Sequence, residues 1–164
     1  MKTLSFNYLI FLVLSVALAG YGSERSEFEI ANRSGLQNWT VRNASLFLGE
    51  NGLKVLAEID QPRPVLQIRD VSRRDSFTAK VSLKITNPGT VSIAWMESVD
   101  GKEPRRRSIS KKLKPQDGYL DVTLPIAVKG QASDFEVQTP WGDSTIKNIT
   151  FTGGGSEQDW VFTP

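Results

Sequence analysis

The chain has 164 residues, 20 lysines and arginines against 18 acidic residues, no histidine and no cysteine. Zinc sites built on imidazole and thiolate, thiol nucleophiles and Ser-His-Asp triads are therefore excluded. An exported fold of this composition must hold together by burial, without disulfides. The near balance of charge names no partner and leaves local clustering as the electrostatic signal.

In chain order, Met1-Lys2 is followed by an apolar run from Leu4 to Leu18, with small residues at Ala17 and Ala19. This pattern predicts a signal peptide over 1–19, cleaved after Ala19. The run is short for a membrane span of about 20 residues, and an uncleaved anchor is the alternative. A lipoprotein is excluded, because no cysteine is present to acylate. Residues 20–26 read as a flexible link and 27–164 as one domain, secreted or periplasmic, with no membrane span after cleavage.

Segments 27–30, 44–48, 53–59 and 64–68 are short strand candidates, with Asn51-Gly52 as a hairpin turn. The clearest strand is 76–86, where Phe77, Ala79, Val81, Leu83 and Ile85 alternate with polar residues. Asn87-Pro88-Gly89 then predicts a turn, and 91–97 resumes the alternation, so the two segments are expected to form a hairpin. Asp100-Gly101 precedes a strand over 107–113. Pro115 to Gly118 turns into 119–124, which Pro125 is expected to end. Segments 135–139 and 145–152 flank the loop Thr139-Pro140-Trp141-Gly142-Asp143, and 159–162 reads as a last edge strand. Nothing reads as a helix. Roughly ten short strands at this spacing predict an all-β fold, an antiparallel two-sheet β-sandwich of jelly-roll form.

The order of the elements carries a resemblance. The strand Phe77-Thr78-Ala79-Lys80-Val81-Ser82-Leu83-Lys84 leads through Pro88-Gly89 to Ser92-Ile93-Ala94-Trp95, then to Asp117-Gly118-Tyr119, Val122-Thr123-Leu124-Pro125 and Ile146-Lys147-Asn148-Ile149. Over residues 27–162 this resembles the galactose-binding-like jelly rolls appended to secreted polysaccharide-active enzymes. More narrowly, it is similar to the C-terminal domains of exported bacterial sulfatases, which often end as Trp160-Val161-Phe162 does here. The sulfatase nucleophile motif, C/S-x-P-x-R, is missing, so the resemblance implies an appendage without sulfatase activity. It also implies that a structural calcium ion is conceivable, although no ligand spacing marks a site.

Three groups of side chains are candidates for function. Glu97, Asp100, Asp121 and Asp143 could pair for glycoside hydrolysis, but their places on turns and wet faces predict solvated carboxylates. Trp95 shares a face with Val91 and Ile93 and reads as core, and Trp39 and Trp160 read as closing the ends of the sandwich. Trp141 lies in a loop with no alternation to bury it and is either structural or a stacking platform for a sugar ring. Residues 102–114 carry Lys102, Arg105, Arg106, Arg107, Lys111, Lys112 and Lys114 against Glu103 alone. This ribbon is either an edge strand guarded by charge or a polyanion contact whose arginines suit sulfate or phosphate. Without interleaved aromatics, nucleic acid is not an expected partner. Asn32, Asn38, Asn43 and Asn148 begin N-x-S/T triplets and read as turn residues.

The expectation is an exported, non-catalytic carbohydrate-binding or accessory module. Its ligand would be an anionic, favourably sulfated polysaccharide held by Trp141, Arg105, Arg106, Arg107, Lys111 and Lys112. The alternative is a structural or protein-interaction domain of the envelope that docks a partner protein or enzyme, and a sulfatase-related protein with activity stands behind both. No cofactor is expected.

Overall fold

The structure is a computed structural model and describes residues 39–154 and 158–162. The expected signal peptide, the 20–26 link and the strand expected over 27–30 lie outside the described residues. Eleven strands follow in order, with no helix among the described residues: β1 (Trp39–Arg42), β2 (Ala44–Gly49), β3 (Gly52–Ala57), β4 (Val65–Ile68), β5 (Phe77–Ile85), β6 (Gly89–Ser98), β7 (Arg105–Leu113), β8 (Leu120–Ile126), β9 (Gln131–Gln138), β10 (Ser144–Thr152) and β11 (Gln158–Val161).

They form two antiparallel sheets. One has the order β1-β4-β9-β6-β7, and the other β2-β3-β10-β5-β8, with β11 pairing β10 beside β3. The period-two alternation turns one set of side chains of each strand toward the facing sheet. The β5 side chains Ala79, Val81 and Leu83 and the β6 side chains Val91 and Ile93 are at most 1% exposed. Phe77, Phe135 and Phe151 meet between the sheets, with ring centroids 5.1–5.5 Å apart. These contacts make the all-β sandwich of jelly-roll form that the alternation predicts.

The expected β5–β6 hairpin does not exist. β5 lies in the six-stranded sheet between β10 and β8, while β6 lies in the five-stranded sheet between β9 and β7. Asn87-Pro88 carries the chain from one sheet to the other. Alternation reports which face of a strand is dry, and either sheet satisfies it. The β2–β3 hairpin at Asn51-Gly52 does form, as does the β6–β7 hairpin around Asp100-Gly101.

Three further expectations change. β1 was not expected from the sequence as a strand. β8 continues through Pro125 to Ile126; β8 is an edge strand, the place in a sheet where a missing N–H is tolerated. Asn148 lies within β10, not in a turn, whereas Asn43 does turn the chain, with φ 62° between β1 and β2.

Two strands carry an extra residue. In β9 the register slips between Ala94 and Met96 of its partner β6, near Asp134 at φ 50°. In β10 it slips between Ile146 and Asn148. Each bulge lets residues three apart share the dry face: Ala132 with Phe135, and Ile146 with Ile149, are all fully buried.

Candidate functional site

Directly opposed residues of antiparallel strands share a face, so register and burial together assign the two sides of the five-stranded sheet. Leu66, Ile93, Phe135 and Val137 point inward. Arg42 and Thr40 of β1, Gln67 of β4, Glu136 and Gln138 of β9, Ser92 and Ala94 of β6, and Arg106, Ser108 and Ser110 of β7 point outward.

This outward face also carries Val65, Met96 and Ala94 by the same register, and its polar groups are organised among them. Arg42 and Arg106 come from opposite edges of the sheet and converge on Glu136 of the central strand. One Arg42 Nη2–H donates to Glu136 Oε1 at 2.6 Å, and one Arg106 Nη2–H donates to Oε2 at 2.7 Å. Each arginine must cross one intervening strand, a lateral span of about 9–10 Å. Ala94 stands beside Glu136 in register and is 1% exposed although it faces outward. Thr40 Oγ1 donates to Gln67 Oε1 at 3.4 Å and Ser92 Oγ donates to Gln138 Oε1 at 3.1 Å.

Both arginine side chains remain more than half exposed, and Glu136 is mostly covered. The carboxylate therefore holds two guanidinium groups in place while most of their five N–H donors each stay available. Guanidinium N–H groups beside amide and hydroxyl groups can hydrogen-bond a polyol or an anion.

The expected ligand residues are dispersed over this framework. Of the ribbon, Arg106 and Lys112 project from the outward face. Arg105, Arg107 and Lys111 lie on the inward side with Glu97, Trp95 and Val91. Arg105 to Arg107 stand at one end of β7, and Lys112 at the other, roughly 20 Å away.

Trp141 belongs to the end of the sandwich where Lys112 lies. It follows β9 by Thr139-Pro140 and is 55% exposed, its Nε1–H donating to the Gln61 carbonyl at 3.3 Å. Arg63 ties the same end together, donating through Nε to the Thr139 carbonyl at 3.1 Å and through Nη2 to the Thr90 carbonyl. Burial lowers the pKa of Arg63 from its usual value. Trp141 and the three arginines therefore occupy opposite ends of the domain.

Glu97 overturns its expectation. It is 5% exposed, not solvated. Its Oε2 accepts from Arg107 Nε at 3.2 Å and its Oε1 from the Lys129 backbone N–H at 3.0 Å. Asp100, Asp121 and Asp143 are exposed as expected. No group of three or more acidic side chains that could hold a metal ion occurs among the described residues. Trp95 is core, at 6% exposure, and Trp39 packs against Trp160.

Arg42 and Glu136 were missed by sequence reasoning. The available signal was that Glu136 lies between the two inward residues Phe135 and Val137, which marks it as an outward charge on a central strand.

Two stacked antiparallel sheets in this order define a jelly-roll β-sandwich of the kind seen in carbohydrate-binding modules. No family model matches the sequence, and no curated protein matches it. Solved structures of family 29 carbohydrate-binding modules share the fold. One superposes with a TM-score of 0.52 at 15% identity, covering 73% of this chain and 80% of its own. A mutant of a family 29 module gives 0.51 at 14%, over 73% and 83%. A family 29 module from Piromyces equi gives 0.50 at 13%, over 71% and 81%. At these identities the likeness is one of fold.

Proposed function

We propose that the chain is an exported, non-catalytic carbohydrate-binding module that takes an anionic, preferentially sulfated polysaccharide on the outward face of the five-stranded sheet. The observation that carries this reading is the convergence of Arg42 and Arg106 on Glu136. Gln67, Gln138, Ser108 and Ser110 supply neighbouring polar contacts, and Trp141 offers a flat surface at the Lys112 end. The fold shared with family 29 modules supports the class of ligand. Export rests on the leader pattern, and an association with a sulfatase-type enzyme rests on strand order alone.

Affinity electrophoresis through neutral and sulfated polysaccharides at physiological salt tests the reading. The wild-type chain should be retarded by at least one sulfated gel, and Arg106→Ala should migrate freely while keeping its melting temperature. Absence of retardation in every gel, with a protein captured instead from the native host, would replace the glycan by a protein partner. Equal loss of retardation in a Lys80→Ala/Lys84→Ala variant, altered on the other sheet, would reduce the effect to unspecific charge.

A further inference from the structure

We propose that a cleft at the end of the β6–β7 hairpin, separate from the outward face, binds a sulfate ester carried by the glycan. β8 ends at Ile126, so beyond Trp95 the inward side of β6 and β7 no longer meets a facing strand. It opens instead into a cleft of about 260 Å³ bordered by Glu97, Lys102, Glu103, Arg105, Arg107 and Lys129. A second hollow of about 220 Å³ adjoins it and shares Glu97, Arg107 and Lys129. Drug-sized ligands occupy pockets of about 300–1,000 Å³. The two hollows together reach the lower part of that range, so the site has room for a charged substituent and part of the sugar that carries it.

Its walls are held in place. Lys102 N–H donates to the Val99 carbonyl at 3.0 Å, closing the turn that contains Gly101 at φ 72°. The Lys129 N–H is bound to the buried Glu97 carboxylate, whose other oxygen accepts from Arg107 Nε. Glu97 is buried while Arg107 stays half exposed, and the bond to Glu97 fixes the direction of the Arg107 guanidinium. Glu97 neutralises one of the four cations. Lys102, Arg105 and Lys129 make no ion pair among the described residues, and Glu103 is the other acid at the rim. With Glu97 and Glu103 set against Lys102, Arg105, Arg107 and Lys129, the cleft keeps an excess of two positive charges, which a bound oxyanion would offset, and the arginine forks match its paired oxygens. A sulfate ester and free inorganic sulfate share this chemistry.

The role given to the cleft rests on the glycan-binding reading, so the experiment separates the two. Calorimetry would use the full chain with a heparin hexasaccharide and its chemically desulfated form, and thermal melts would use inorganic sulfate. The sulfated form should bind about tenfold more tightly than the desulfated one. Lys102→Ala/Arg105→Ala should abolish that preference and leave binding of the desulfated form unchanged, whereas Arg106→Ala should weaken both. Inorganic sulfate should raise the melting temperature of the wild type and not of the cleft variant. A sulfate preference that survives in the cleft variant overturns the proposal, as does an equal loss in Lys80→Ala/Lys84→Ala. Binding of both hexasaccharides without preference removes the cleft from glycan recognition and leaves the face intact. A melting shift with sulfate, absent from the cleft variant and without binding of either hexasaccharide, makes the cleft a site for the free anion and ends the glycan reading.

Discussion

Trp39 and Trp160 meet edge to face, with ring centroids 5.6 Å apart and planes at 85°. The first belongs to β1 of the five-stranded sheet and the second to β11 on the six-stranded sheet, so the pair joins the two layers through the first and last described strands. Phe162 packs on Trp39 at 5.8 Å and Phe151 on Trp160 at 5.3 Å, extending the contact into the core. Trp160→Ala should therefore destabilise the domain by about 3 kcal/mol and lower its melting temperature by roughly 10 °C. Trp160→Phe should recover a good part of the loss. Urea and thermal unfolding read both, and a Trp160→Ala variant as stable as wild type would remove the layer-joining role.

Glu136 is the hub of the outward face, yet its partners are exposed arginines. Exposed ion pairs contribute about 0–1 kcal/mol. Glu136→Gln should change unfolding free energy by less than about 1 kcal/mol while lowering polysaccharide affinity about tenfold, because both guanidinium groups lose their positioning. Calorimetry beside a denaturation curve checks the two halves together.

Trp141 contributes little to the core, being more than half exposed. Trp141→Ala should cost less than about 1 kcal/mol of stability and weaken polysaccharide binding roughly three- to tenfold. Unaltered affinity would assign the indole to its hydrogen bond with the Gln61 carbonyl and to nothing beyond it.

Glu97 is the structural counterpart of Glu136: the same residue type, but buried. Glu97→Ala leaves the Lys129 N–H without its acceptor and the Arg107 guanidinium, half exposed, to water, and should destabilise by about 2–3 kcal/mol. Glu97→Gln keeps one acceptor oxygen and should cost about 1–2 kcal/mol. Chemical denaturation of the two variants distinguishes loss of charge from loss of the acceptor.

Gly130 lets the β8–β9 connection pass against the end of β6. A Cβ built there would stand 2.1 Å from the Ser98 carbonyl oxygen, so Gly130→Ala must displace backbone. The expected cost is about 2–3 kcal/mol, and the shift should also move the Lys129 N–H away from Glu97, visible as a changed amide resonance.

Much of the fold was readable from single strands. Ser76 to Thr86 announced β5, Asn51-Gly52 announced the β2–β3 turn, and Trp95 could be assigned to the core from Val91 and Ile93. Pairing was less readable. Thr86 and Gly89 flank what looks like a hairpin turn, yet the strands on either side belong to different sheets. Ile146 and Ile149 break the period of two, and only the bulge in β10 explains how both are buried.

The site divided along the same line. The ribbon from Lys102 to Lys114 is dense enough to be noticed in sequence. Its alternation in β7, which sends Arg106 outward and Arg105 and Arg107 inward, follows from strand geometry once the register is known. The meeting of Arg42 with Glu136 has no local signature at all, since the residues are 94 positions apart.

By itself, the sequence determined that the described residues form strands and not helices, which side chains of each strand seek the dry interior, and that histidine and cysteine chemistry is absent. These properties are local: periodicity and composition act within a few residues. Tertiary structure alone decided which sheet each strand joins, that Glu97 is buried while Glu136 is set between two arginines, and that Trp141 lies at the far end from Arg105. Those outcomes depend on register between distant segments. A side chain's surroundings are chosen by its neighbours across the sheet, and no stretch of chain taken alone contains them.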